Sequence, residues 1–333
     1  MELEELGKRL GRWADVHVGE GTVIEGVAPL PGNAGLSFGF RLARPHTLPE
    51  GCVIRLAPFG VRRQRTTDVL RQVPLLEALW QQHIPVARVR WSSDDPRWFG
   101  TDAFIVDWLD GEPLHMTDPS ISTPLGPDGV GPLLEQAVDV LAEVHAVPWE
   151  RIWPSEKPRG LVEEITWWSR LLERVREPSF SASADTLLAA LMSTAHRSPR
   201  IGLCHGDYQT NNVLYRDERL VGVVDWELAG VGPQLLDLGW LGMMTDRRCW
   251  SEDYAAMLRV CAPLSDLVAR YEAKSGEPVY DVEWYVALAC FRFGAIVAFN
   301  TMLHRSGKRV DSFYEVLSRS LPCLFDRGCE LIA

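Results

Sequence analysis

The sequence lacks an excess of positive charge: 34 lysines and arginines stand against 45 aspartates and glutamates, a formal net charge of -11. A protein that grips nucleic acid by its phosphates needs the opposite balance, so that partner class is excluded. Paired cysteines are missing too. Cys52, Cys204, Cys249, Cys261, Cys290, Cys323 and Cys329 are odd in number, scattered, and never form a C-x-x-C pair, which argues against a disulfide framework and a structural zinc site. No basic-then-apolar leader opens the chain, whose first residues are the acidic Met1-Glu2-Leu3-Glu4-Glu5; the expectation is a cytoplasmic protein with no signal peptide. The most apolar long stretch, Trp284 to Leu303, is interrupted by Arg292 and Asn300 and reads as a buried helix, with no membrane as partner. Internal repeats and low-complexity tracts are absent.

What is present is a chain of 333 residues, 46% of them hydrophobic, enough for two domains or one two-lobed unit with a substantial core. The charge is uneven. Residues 1–112 carry 13 basic and 15 acidic side chains, and the remainder 21 and 30, so the acidity sits in the second part, where it either attracts cationic ligands or simply keeps the protein soluble.

Leu3, Leu6, Leu10 and Trp13 recur at helical spacing, and short β-rich runs follow at Thr22–Val27, Leu36–Leu42 and Cys52–Leu56. A helical pattern covers Thr66–Gln82, then two more strand candidates, Val86–Trp91 and Phe104–Leu109. Proline and glycine crowd the stretch from Pro113 to Pro132, which reads as a connector. Beyond it helical patterns dominate, at Leu133–Val144, Trp168–Val175, Leu187–Ala195 and Tyr280–Leu303. One segment breaks them: Asn212–Tyr215 and Leu220–Val224 flank Arg216-Asp217-Glu218-Arg219 as a hairpin flanks its turn.

That hairpin carries the strongest chemical signal. It is preceded by His205-Gly206-Asp207-Tyr208-Gln209-Thr210-Asn211-Asn212 and followed by Val224-Asp225-Trp226-Glu227. Asp and Asn also favour turns for local hydrogen-bonding reasons, but their joint placement suits a division of labour. One carboxylate, Asp207, meets a substrate hydroxyl while Asn212 and Asp225 hold a hard, oxygen-seeking cation against phosphate oxygens. Phosphoryl transfer needs that division, because its catalysis is mostly positioning and charge neutralisation.

In the order and spacing of these residues the chain resembles the aminoglycoside phosphotransferase family, closest in character to its acyl-CoA-dehydrogenase-associated branch. The resemblance implies an α+β, two-lobed, protein-kinase-like fold. Residues 1–106 would form a small β-rich nucleotide lobe, 107–112 a hinge, and 113–333 a larger, mainly helical lobe with the catalytic loop and acceptor site. It implies Asp207 as the catalytic aspartate, Asn212 and Asp225 as ligands of Mg2+, and Glu227 as an aid to the metal. Asp237, in Gly232-Pro233-Gln234-Leu235-Leu236-Asp237, would brace the catalytic loop from a helix start. His145, near a helix end, and Cys204 read as packing residues, and Trp167-Trp168 as either acceptor wall or core.

The same resemblance assigns ATP to the first part. Pro31-Gly32-Asn33-Ala34-Gly35-Leu36-Ser37 lies between two strand candidates, where its backbone would close over phosphates with Asn33 or Ser37 donating. Arg55 stands where kinases place a phosphate-gripping lysine, keeping the charge and adding a fork of donors. The lysine's usual glutamate partner is replaced by Gln72, a neutral amide able to accept a hydrogen bond from Arg55 but not to form an ion pair. Val106-Asp107-Trp108-Leu109 would be the hinge, its backbone reading the adenine edge and Val106 lining the pocket. The implied activity is ATP- and Mg2+-dependent phosphorylation of a hydroxylated small molecule. The alternatives are a hydroxyacyl-CoA kinase and a nucleotide-binding scaffold without turnover.

Overall fold

The computed structural model describes residues 1–30, 36–64, 67–117, 131–175, 177–195 and 199–332. The chain divides into two compact units. One is Met1–Glu112 together with Val221–Leu228; the other is Pro113–Leu220 together with Ala229–Ala333. Eight residues from the far end of the Asn212–Val224 hairpin region are thus built into the first unit, a placement not visible from the order of the sequence.

The first unit is an antiparallel sheet of β1 (Val23–Pro29), β2 (Leu36–Ala43), β3 (Glu50–Leu56), β4 (Val89–Ser93) and β5 (Ala103–Asp107), in the order β1-β2-β3-β5-β4. Period-two alternation in β3 buries Cys52, Ile54 and Leu56 and turns Val53 and Arg55 to the opposite, more open face. The Leu3–His17 helix lays Leu6, Leu10, Trp13 and Ala14 into one core with Phe38, Phe40, Ile54 and Ile105, as the helical spacing implied. The expected Thr66–Gln82 helix is shorter: a single 3-10 turn at Val69–Arg71 leads into a helix at Gln72–Gln81, and Thr66 lies outside the described residues. Pro74 sets that start. In the first helical turn it has no N–H to lose, whereas deeper in a longer helix it would break one.

The second unit is mainly helical. Its centre is the helix Val282–Arg305, buried along most of its length from Val282 to Thr301. The helices Leu235–Thr245 and Leu321–Ile332 pack on it. Gly239 permits the first of these approaches, because a Cβ there would lie 2.5 Å from the Tyr285 carbonyl carbon, closer than packed atoms come. Though long and apolar enough to cross a membrane, the Val282–Arg305 helix has 67% of its most apolar window buried within the protein.

Short strands frame the candidate site: β6 (Glu112–Pro113), β7 (Ile201–Cys204), β8 (Val213–Arg216), β9 (Arg219–Val223) and β10 (Gly230–Pro233). β7 and β10 pair antiparallel, Cys204 opposite Gly230; neither stood out in the sequence. β8 and β9 are the expected hairpin. Its central residues, Asp217 and Glu218, have φ of 50° and 61°, the left-handed pair that matches strand twist but that non-glycine residues resist. Gln136 steadies the turn: its Nε2 donates to the Glu218 carbonyl at 2.9 Å and its Oε1 accepts from the Leu220 N–H at 2.9 Å.

Candidate active site

The second unit builds the loop around Asp207 from both ends. β7 delivers the chain at Cys204, Gly206 turns it with φ of 83°, and a 3-10 turn at Thr210–Asn212 feeds β8. Two amide side chains hold the Asp207 carboxylate. Gln209 Nε2 donates to Oδ1 at 2.9 Å, and Asn212 Nδ2 donates to Oδ2 at 3.1 Å and to the Asp207 carbonyl at 2.9 Å. The Asp207 N–H donates to His205 Nδ1 at 3.2 Å, which gives that histidine a structural role. Tyr208, fully buried, donates its hydroxyl to the Ala137 carbonyl at 2.6 Å. Cys204 is buried as a small hydrophobe, and burial raises its thiol pKa well above the usual value.

Asp237 anchors this loop. It sits in the first turn of the Leu235–Thr245 helix with no exposure to solvent. Its Oδ2 accepts the His205 N–H at 2.7 Å and its Oδ1 the Gly206 N–H at 2.8 Å. His145 Nε2 lies 3.3 Å from Oδ2, and His145 Nδ1 lies 2.8 Å from the Tyr271 hydroxyl. Burial alone would push the Asp237 carboxyl up, but the hydrogen bond and charge of His145, the charge of His205 and the Gly206 N–H outweigh it and hold it below the ordinary carboxylate value. His145 therefore does more than fill space: it steadies the group that steadies the loop.

A second support is Arg292, the single charged residue between Trp284 and Leu303. Its guanidinium donates from Nη2 to the Gly206 carbonyl. It lies 4.7 Å from the Trp168 ring centroid and 4.8 Å from that of Trp240, with Glu164 at 3.6 Å. Glu164, itself buried, also receives the Trp168 indole N–H at 2.6 Å and pairs with Arg159 at 2.9 Å. Trp168 is thus a core residue, while its neighbour Trp167 is 40% exposed. In the sequence Arg292 is legible only as a lone charge inside an apolar helix, the available signal of a buried partner.

The first unit holds the other predicted residues. Asp225 follows β9 with φ of 63°, a left-handed backbone that aspartate tolerates better than most residues. Its Oδ1 is 3.0 Å from Arg55 Nη1, and Arg55 Nη2 pairs with Glu227. Gln72 is buried at the start of its helix, and among the described residues no hydrogen bond joins it to Arg55. Ser37 sits directly across from Arg55 in the β2–β3 register. Asn33 lies outside the described residues.

The hinge residues are also partly committed. Val106 is buried in β5 opposite Val53. The Asp107 side chain pairs with Arg90, and its N–H donates to the Arg88 carbonyl at 3.0 Å. The Trp108 N–H donates to the Gly51 carbonyl at 3.0 Å. Its side chain, half exposed, leans on Gly39 and Gly51, where a Cβ would come within 3.0 Å of the indole and 2.6 Å of the Trp108 Cβ respectively. Leu109 packs similarly on Gly222. With the Asp107 and Trp108 amides spent, the Leu109 N–H is the donor of this triplet that makes no backbone hydrogen bond among the described residues.

Each unit offers an oxygen of the kind hard cations take. Asn212 spends its Nδ2 on Asp207, leaving Oδ1 to offer, and Asp225 contributes a carboxylate, the oxygen ligands magnesium prefers. Among the described residues no group of three or more His, Cys, Asp or Glu side chains is arranged to hold a metal ion.

Comparison with known proteins identifies a family and a fold. The model of the phosphotransferase enzyme family, APH, matches residues 47–281. The probable acyl-CoA dehydrogenase IBR3 of Arabidopsis thaliana is 24% identical over 267 residues, covering 73% of this chain; the chain spans about a third of that relative's length, 32%. Among solved structures, a presumed aminoglycoside phosphotransferase of Ralstonia eutropha superposes with a TM-score of 0.74 at 20% identity, covering 98% of this chain and 97% of its own. A thermostable mutant of aminoglycoside phosphotransferase APH(4)-Ia, solved with AMP-PNP and hygromycin B, gives 0.59 at 14% identity and 97% coverage of both chains. At such identities the structural likeness shows the kinase-like α+β fold: an N-terminal antiparallel sheet followed by a helical part.

Proposed function

The chain belongs to the phosphotransferase enzyme family, and from that premise we propose that it transfers the terminal phosphoryl group of ATP to a hydroxyl of a small molecule, with magnesium as cofactor. The observation that carries this reading is the Asp207 carboxylate, both oxygens of which are oriented by the side-chain amides of Gln209 and Asn212. A carboxylate so aimed is suited to orient the acceptor hydroxyl and take its proton as the new bond to phosphorus forms. Asn212 Oδ1 and Asp225 would hold the metal. When bound, magnesium supplies neutralisation of charge on the phosphate oxygens. Arg55 and Ser37, facing one another across β2 and β3, would bind phosphate, and the Leu109 N–H would read the adenine edge beside Val106 and Trp108.

For the acceptor, we favour a hydroxylated acyl compound such as a hydroxyacyl-CoA thioester. Support comes from the curated relatives, which are named as acyl-CoA dehydrogenases, and from Arg55 in the lysine's place. The deciding experiment follows ADP release with hydroxyacyl-CoA thioesters, aminoglycosides, choline and homoserine, in wild type and Asp207→Ala. Turnover should be greatest with the thioesters and fall by about 10²–10⁴ in the variant, while Mg-ATP still stabilises the variant against heat. Unimpaired turnover by Asp207→Ala would refute the role. Gln72 in the glutamate's place favours a second reading, a nucleotide-binding scaffold, which stabilisation by Mg-ATP without turnover on any acceptor would support.

A further inference from the structure

We infer that Glu227 is the residue that positions Arg55, taking over the ion pair that Gln72 cannot form, and that it acts through Arg55 and not as a metal ligand. The role assumes the phosphotransfer chemistry proposed above. Arg55 reaches two carboxylates with two different nitrogens, Nη1 to Asp225 and Nη2 to Glu227. The two contacts differ in setting. The side chains of Arg55 and Glu227 are only 14% and 12% exposed, whereas that of Asp225 is 39% exposed. A buried ion pair is costly to break on one side, because the charge left behind keeps its desolvation penalty. A part-exposed one exchanges its partner for water or another ion at little cost.

The Glu227 contact is therefore the fixed end and the Asp225 contact the exchangeable end. When Asp225 turns to a cation, Nη1 becomes available for a phosphate oxygen while Nη2 stays tethered. A lysine, with one nitrogen, has no such division; the planar fork of arginine does. The arginine at position 55, the amide at position 72 and the glutamate at position 227 then form one consistent set: the anchoring charge has moved from the helix to the residue two places beyond Asp225.

The test is a double-mutant cycle with Arg55→Met and Glu227→Gln, read by calorimetric binding of Mg-AMP-PNP and by thermal unfolding without ligand. Each single change should weaken nucleotide binding about tenfold, the loss of roughly one charge-assisted hydrogen bond, and the double variant should be weaker than either single variant by less than about twofold. The magnesium concentration giving half-maximal nucleotide binding should be unchanged in Glu227→Gln and raised in Asp225→Asn. Without ligand, the melting temperature of the double variant should fall by less than the sum of the two single losses, since both changes remove the same ion pair. Multiplying losses in affinity, a magnesium midpoint shifted in Glu227→Gln as in Asp225→Asn, or additive losses in melting temperature would each overturn the assignment. If the wild type bound no nucleotide, the phosphotransfer reading would fail, and the ligand-free cycle would still decide whether Glu227 and Arg55 are coupled.

Discussion

Arg55 in the first unit and Arg292 in the second both reach residues that the sequence singles out, and they are held in opposite ways. Arg55 faces two carboxylates, one of them well exposed. Arg292 is 3% exposed, flanked by the rings of Trp168 and Trp240, with one carboxylate at 3.6 Å and the Gly206 carbonyl as acceptor. A cation with one exposed partner can exchange that partner while its buried one holds it in place. One enclosed by indoles has no alternative partner, and its attraction to the rings grows as water is excluded. The two guanidiniums thus divide dynamics from rigidity: one suits a group that must respond to ligands, the other a backbone that must not move.

The comparison can be broken most sharply at Arg292. Replacing it with Met should cost about 3 kcal/mol of unfolding free energy, because the buried Gly206 carbonyl loses a charged donor and Glu164, still paired with Arg159, loses the second of its two cations; a loss under about 1 kcal/mol in a urea titration, the range of an exposed pair, would erase the distinction between the arginines. Asp237→Asn comes next, at about 2–3 kcal/mol, since two backbone N–H groups lose a charged acceptor. It carries a pH signature as well. The Asp237 carboxyl is held below its ordinary value, so its contribution is complete above the unfolded value, about 4, and is lost as pH falls through the lower folded value. Melting curves from pH 6 downward should show that acid loss in the wild type and a shallower one in the variant. Trp168→Phe should cost about 1 kcal/mol by removing the indole donor to Glu164. Smallest is Arg55→Lys: less than about 1 kcal/mol in stability, with nucleotide affinity as the quantity that changes.

What the sequence disclosed follows from how local each feature is. The hairpin, its turn and the residues on either side are contiguous, so Asp207 and Asn212 are legible together, and the structure joins them by hydrogen bonds. Asp237 lies 32 residues beyond His205; its bracing role was legible through the family pattern, not from spacing. The pairs that went unread are separated further: Arg292 from Gly206 by 86 residues and Arg55 from Glu227 by 172. No periodicity reports such distances. The expected hydrogen bond from Arg55 to Gln72 was inferred from a neighbouring helix, whereas burial and charge gave Arg55 its partners from the far end of the hairpin. Short strands such as β7 and β10 escaped because four residues carry too little alternation to be distinguished from a buried loop.

The assignment of Val221–Leu228 to the first unit sets an order of events during synthesis. When residue 112 leaves the ribosome, the sheet has its five strands but Arg55 has neither carboxylate, and roughly another 110 residues must be made before they arrive. At about 5–20 residues per second that interval is roughly 5–20 s. A fragment stopped at Glu112 would keep that unfinished condition permanently, with a guanidinium that has lost both of its counterions.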